Sequence, residues 1–314
     1  MGRFLVKRIL SVIPVLFVVS VVVFLLVHLV PGDPAAAMLG DMATEADIAA
    51  LRERMGLNRP LLEQCVVWVG NVLHGDFGES VSGNETVLSM ILSHLQPTVF
   101  LSLYSLIIAA VIAIPLGMIA ARKKGAIVDH SVTVISLAGI SLPSFLLGLF
   151  LMLLFAVRLK WFPVSGYVPP SQGMAAHLRS LCLPAITLGF MNAALMMRMT
   201  RASMLEVLGS DYMKMAKAKG VKEFFLIAKH AFKDTLVTVI TVIGQSIVQA
   251  LAGAAVVESL FAIPGLGQLM VNSIGRRDYY VIQSIVLLIA VFNVLVTMLI
   301  DIVYGLVDPR VRVS

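Results

Sequence analysis

Charged residues are scarce: Asp, Glu, Lys and Arg make up 13% of the 314 residues, about half the share usual in a soluble domain. A soluble fold of this length needs polar side chains over its outside, and here 59% of the residues are hydrophobic. Lipid is the solvent that fits. Cysteine is rarer still: Cys65 and Cys182 stand far apart without C-x-x-C spacing, which signals neither a disulfide framework nor a zinc site. No G-x-x-x-x-G-K-[ST] stretch occurs and no glycine is followed by lysine, so the chain cannot cradle nucleotide phosphates in a P-loop. Any ATP that drives it binds another subunit. The G-x-S-x-G elbow, the H-E-x-x-H helix and paired intramembrane aspartates are missing too, which removes the common hydrolases and membrane proteases.

What is present is six apolar runs of membrane-spanning length, at residues 9–30, 99–121, 132–157, 181–201, 236–260 and 281–307. The first follows Arg3, Lys7 and Arg8 as a secretory signal does, with Ala35-Ala36-Ala37 in place for cleavage. Its 22 residues exceed a signal's apolar stretch and it ends in Pro31-Gly32-Asp33-Pro34, so it reads as a span that is kept. With the N-terminus inside, 14 Lys and Arg fall on the inner side and 8 on the outer, setting aside Arg198 and Arg201 within the fourth run. The net charge of +6 therefore marks orientation, with both termini cytoplasmic, and requires no nucleic-acid partner.

On this reading the chain is an all-α integral membrane protein. Residues 1–30 are a cytoplasmic tail and the first span, 31–98 an extracytoplasmic segment, 99–307 a core with a cytoplasmic loop at 204–235, and 308–314 a cytoplasmic tail. In the outer segment Thr44 and Asp47 predict a capped helix that carries Ile48, Leu51 and Met55 to a stop at Gly56. Pro60 opens a second helix with Leu62, Val66, Val69 and Leu73, ending near Gly75. Together they predict a small helical lobe, either a connector packed on the membrane core or a docking surface for a soluble partner.

Inside the spans Glu258, Asp301, Arg198 and His28 fall away from the middle and read as satisfied helix-end or snorkelling groups, not as the relay of an ion-coupled carrier. Ser141, Asn192, Gln245, Gln249 and Glu258, with Ser246 and Asn293, are the candidates for lining a translocation path, which suits an uncharged or transiently passing solute. Met191, Met196, Met197, Met199 and Met204 read as packing residues, and no metal ligand is assigned.

The loop between the fourth and fifth spans carries Asp211, Tyr212, Met213, Lys214, Ala216, Lys217, Ala218, Lys219, Gly220 and Val221. Ser210 or Asp211 can cap a short helix that Gly220 ends. Met213, Ala216 and Gly220 then share one stripe, and small residues on an otherwise exposed stripe let another backbone approach. A helix lying on anionic lipid is the alternative, but the apolar face is narrow and lacks Trp, Phe or Leu anchors. A protein socket is the better reading.

At this loop the sequence resembles the ABC-importer permeases for dipeptides, oligopeptides, glutathione and nickel. Ala216 and Gly220 match the EAA motif of such permeases, with Lys214 in place of its leading glutamate. Pro31-Gly32-Asp33-Pro34, Leu57-Asn58-Arg59-Pro60-Leu61, Gly75-Asp76-Phe77-Gly78, Ser141-Leu142-Pro143, Leu183-Pro184, Pro264-Gly265-Leu266-Gly267 and Asp308-Pro309-Arg310 extend the resemblance over the chain. Thr238 and Tyr280 depart from it, standing where the family often has proline. The resemblance implies a type I ABC importer permease fold of six transmembrane helices, without catalysis of its own, in the bacterial inner membrane. It implies a heterodimer with a second homologous permease, two cytoplasmic ATPase subunits that hold ATP and Mg, and an extracytoplasmic substrate-binding protein. Residues 211–221 are then the ATPase-coupling helix. Phe261, Pro264, Gly265 and Gly267 lie in a segment predicted to break the fifth span and fold back over the pathway, their Pro and glycines suiting a re-entrant turn. Peptides, glutathione included, are the expected substrates and nickel or a metal chelate the alternative. A stand-alone secondary carrier or channel is the alternative of another class.

Overall fold

Backbone polar groups in lipid must bond within their own segment, and the second, fourth, fifth and sixth apolar runs each lie within one helix. The computed structural model describes residues 2–29, 33–40, 43–80, 85–222 and 225–307. Pro31 and Gly32 of the first signature segment, and the tail with Asp308-Pro309-Arg310, lie outside the described residues. In chain order the helices are α1 (Gly2–His28), α2 (Pro34–Leu39), α3 (Glu45–Arg54), α4 (Leu61–Leu73), α5 (Val87–Arg122), α6 (Ile127–Ser141) and α7 (Ser144–Leu151). A π-helical turn, Met152–Arg158, follows α7, and then α8 (Met174–Gly209) and α9 (Asp211–Ala218). A second π turn, Leu226–Ala231, leads into α10 (Phe232–Phe261), followed by α11 (Leu266–Gly275) and α12 (Tyr279–Val307).

Among the described residues α5, α8, α10 and α12 are each long and apolar enough to cross a membrane, and α1 contributes an apolar stretch at Leu10–Leu25. The third predicted span is corrected. The run 132–157 is not one helix but two, Ile127–Ser141 and Ser144–Arg158, bent by 104°. Pro143 is the cause: it lacks an N–H to continue α6 and forces Leu142 into extended backbone (φ −81°, ψ 124°). Pro184, by contrast, sits inside α8, which runs unbroken for 36 residues.

The chain forms two compact units, Met1–Gln96 with Pro264–Leu295, and Pro97–Ile263 with Val296–Ser314. In the first, Val87, Ile91, Leu266, Leu269, Val281 and Ile285 make the core. Buried Gln283 donates from Nε2 to the carbonyl oxygens of Val23 (3.1 Å) and Phe24 (3.3 Å), tying α12 to α1. The Thr44 and Asp47 reading holds in detail: the Asp47 N–H donates to Thr44 Oγ1 at 3.2 Å and the Thr44 N–H donates to Asp47 Oδ2 at 3.1 Å, a reciprocal cap on α3. On α4, however, Leu62, Val66 and Leu73 are exposed.

In the second unit α8 is the buried axis. Glycines let neighbours reach its backbone. A Cβ on Gly189 would meet the Ser105 carbonyl oxygen of α5 at 2.7 Å, and one on Gly117 of α5 would meet the Met197 carbonyl oxygen at 2.8 Å. Gly139 gives α6 the same closeness against Ala194 and Phe190. On the α10 side, Ser203 Oγ donates to Thr238 Oγ1 (3.1 Å), so Thr238 is an interior helical residue whose hydroxyl serves the packing.

Candidate functional site

Ser210 is in extended backbone and its Oγ accepts the Met213 N–H at 3.4 Å, so serine caps α9, while Asp211 instead takes Lys214 Nζ at 2.8 Å. Gly220 has φ +79°, and its N–H donates to the Lys217 carbonyl, the left-handed stop expected of a glycine there. The exposed stripe is corrected. Met213 and Ala216 face inward, packed with Ala121 of α5, Met204 of α8, and Leu226 and Ala231 of the second π turn. Only Gly220 of the three is exposed. A short helix beside a larger apolar body buries its apolar positions first, so Met213 and Ala216 anchor α9 to its own chain. The outward side consists of Tyr212, Met215 and Lys219 at i, i+3 and i+7, with Asp211, Lys214, Lys217 and Ala218 flanking them. Tyr212 bonds His230 of the π turn (Oη to Nδ1, 2.8 Å), which fixes its ring. Val221 is half-buried.

At the other end of α10 the break predicted for the fifth span occurs at Phe261. Ala262 takes the left-handed conformation (φ 49°, ψ 48°), the Ile263 N–H donates back to the Glu258 carbonyl (2.9 Å), and the Gly166 N–H donates to the Phe261 carbonyl (2.8 Å). The residue carrying the turn is therefore alanine. Gly265 has φ −107° and precedes α11, so it and Gly267, both buried and at negative φ, are not used for left-handed backbone. Pro264 is exposed.

The path candidates separate into two classes. Asn192 and Glu258 are enclosed: Asn192 Nδ2 donates to the Leu188 carbonyl (3.3 Å) and Glu258 accepts from Thr98 Oγ1 (2.6 Å). They do not open onto a path in this conformation. Ser246 is buried as well, whereas Ser141 is exposed at the α6 break. Gln245 and Gln249 are exposed on α10, and Ala252, Val256 and Ser259 continue their stripe at spacings of four, three, four and three. Lipid would leave two amide side chains without partners there, so this stripe is made for protein or water.

One pair went unread in the sequence. Arg201, counted only as a span residue, forks onto buried Asp129 of α6: Nε donates to Oδ1 and Nη2 to Oδ2 at 2.9 Å, and the Gly125 N–H donates to Oδ2 at 2.9 Å. The available signal was Arg201 itself, since an intramembrane cation needs a partner, and Asp129 is the acid at the head of the preceding span. Among the described residues no three His, Cys, Asp or Glu side chains gather as a metal site requires.

Two family models cover the chain. The binding-protein-dependent transport system inner membrane component matches residues 113–313, and its N-terminal companion matches residues 1–102. A probable peptide ABC transporter permease protein of Sinorhizobium fredii is 41% identical over 99% of this chain and 100% of its own length. A di/tripeptide transport system permease protein of Pseudomonas aeruginosa is 38% identical and a glutathione transport system permease protein of Shigella flexneri 39%, each over 99% of both chains. Among solved structures, an inward-facing MetNI methionine ABC transporter aligns with a TM-score of 0.58 at 16% identity, over 70% of this chain and 97% of that one, which supports the likeness of fold.

Proposed function

Because the chain belongs to the binding-protein-dependent transport inner-membrane family and is the non-catalytic permease subunit of an ABC importer, we propose that its cargo is a di- or oligopeptide, glutathione included. The observation that carries the cargo is the set of full-length relatives named for peptide, di/tripeptide and glutathione transport. In this reading a binding protein delivers peptide to the outer face of a heterodimer of this chain and a homologous permease. Two ATPases, which hold ATP and Mg, close beneath it. Both termini face the cytoplasm across the bacterial inner membrane, and residues 31–98 lie outside it.

The coupling works as a two-state switch: α9 touches the ATPase whose equilibrium ATP biases, so its outward side must differ in contact between the states. Tyr212, Met215 and Lys219 supply that contact, with Gly220 leaving room for the partner backbone. The Gln245 and Gln249 stripe lines the path, where amides bond peptide carbonyls and N–H groups without trapping a charge. Phe261, Pro264, Gly265 and Gly267 close it at the outer end.

The test is reconstitution. Proteoliposomes containing this permease, its sibling, the ATPases and the binding protein should take up a radiolabelled tripeptide only with ATP. Uptake by the permeases alone would overturn the reading in favour of a secondary carrier, and ATP-driven uptake of nickel with no peptide uptake would overturn the cargo.

A further inference from the structure

We propose that the Asp129–Arg201 pair is a positioning strut that makes the second, third and fourth spans follow α9 as one body; the proposal rests on the coupling role given to α9 above. Arg201 lies eight residues before the end of α8, and α8 passes through Ser210 alone into α9. Motion imposed on α9 is therefore delivered first to the inner end of α8. Asp129 opens α6 beside that point and is nearly fully buried. Its carboxylate is saturated on one side by the guanidinium fork and on the other by the Gly125 N–H, the residue that ends the connection from α5. A bidentate pair fixes angle as well as distance, which a single apolar contact does not. Above it α5 and α8 touch backbone to backbone at Gly117 of α5 and Gly189 of α8, and Gly139 of α6 takes the Ala194 and Phe190 side chains of α8. Those contacts resist compression, but nothing in them resists sliding; the fork does.

Stability alone is a poor reason to keep a pair in this place. Exchanging a buried ion pair for neutral groups is often harmless to the fold, whereas removing one partner strands a charge. Neutralising both partners, Asp129→Asn with Arg201→Gln, therefore isolates the mechanical role. Arg201→Lys keeps the charge but loses the fork, and serves if the double variant does not assemble.

The experiment uses the complete reconstituted importer and reads ATP hydrolysed and tripeptide taken up in the same vesicles, with wild type alongside. The double variant should hydrolyse ATP within about twofold of wild type while uptake per ATP falls about tenfold, the scale one coupling contact governs. Arg201→Lys should fall between. Unchanged uptake per ATP, or parallel loss of both activities, overturns the strut. A second readout does not depend on the cargo. Spin labels at Ile127→Cys and Ala202→Cys, both exposed positions, in a Cys65→Ser and Cys182→Ser background, report the α6-to-α8 distance. ATP should leave that distance fixed in wild type and shift it in Arg201→Lys; a wild-type shift refutes the strut even if peptide proves the wrong cargo.

Discussion

Replacing Gly189 by alanine places a Cβ 2.7 Å from the Ser105 carbonyl oxygen, where ordinary contact begins near 3.4 Å. The obstructing atoms are all backbone of α5, so no rotamer change relieves them, and the two helices must separate by about 0.7 Å. Overpacking of this kind costs about 1–3 kcal/mol, against which alanine recovers about 1 kcal/mol of helix propensity over glycine. The net result is a loss of up to about 2 kcal/mol. Gly253 on α10 is the control. There the neighbour is Leu188 Cδ1 at 3.1 Å, the far end of a flexible side chain, so propensity prevails and Gly253→Ala is neutral or stabilising by up to about 1 kcal/mol. Thermal denaturation in detergent, followed by loss of the monodisperse peak in size-exclusion chromatography, separates the two. Gly189→Ala should melt below wild type and Gly253→Ala should not. Equal shifts, or the reverse order, would refute the backbone-contact argument.

Three further outcomes follow from the same geometry. Met215→Glu, on the outward side of α9, should leave the melting temperature unchanged and reduce ATP-dependent uptake at least about tenfold, whereas Ala216→Glu buries a carboxylate among Ala121, Met204 and Leu226 and should fail in assembly first. Membrane yield against uptake distinguishes them. Thr98→Val removes the hydroxyl that donates to buried Glu258 and should destabilise by about 1–3 kcal/mol, with Thr98→Ser close to wild type in the same melting assay. Hydrogen bonds from the Thr44 hydroxyl and the Thr44 N–H hold the Asp47 carboxyl below its ordinary pKa. Its contribution to the first turn of α3 is thus present above the ordinary carboxylate range and lost as pH falls through the lowered value; amide protection factors in α3, corrected for the intrinsic pH dependence of exchange, should fall on acidification, and Asp47→Asn should abolish that change.

Elements with local causes were legible in the sequence. Thr44 and Asp47 stand three residues apart and cap each other whatever surrounds them, and Gly220 stops α9 because a glycine enters the left-handed region without a Cβ penalty. Pro143 was visible too, but run length outweighed it, and one predicted span became two helices at 104°. Sidedness was not legible. Met213, Ala216 and Gly220 do share a stripe, yet which way the stripe points depends on Ala121, about ninety residues earlier, and on Leu226. Periodicity gives a face, and only packing gives its direction. The same limit hid the enclosure of Asn192 and Glu258, and the pairing of Arg201 with a carboxylate 72 residues away.

Anchoring and display occupy opposite sides of α9 and its C-terminal cap Lys219, which has a consequence for how such subunits diverge. A substitution at Tyr212, Met215 or Lys219 alters what α9 presents without disturbing the packing of Met213 and Ala216. If α9 docks the ATPase as proposed above, a permease built this way can change its motor while keeping its fold, or drift in its interior while remaining recognisable to the motor it has. Transplanting those three residues from a relative should therefore be enough to redirect partner choice, a small exchange for a change of engine.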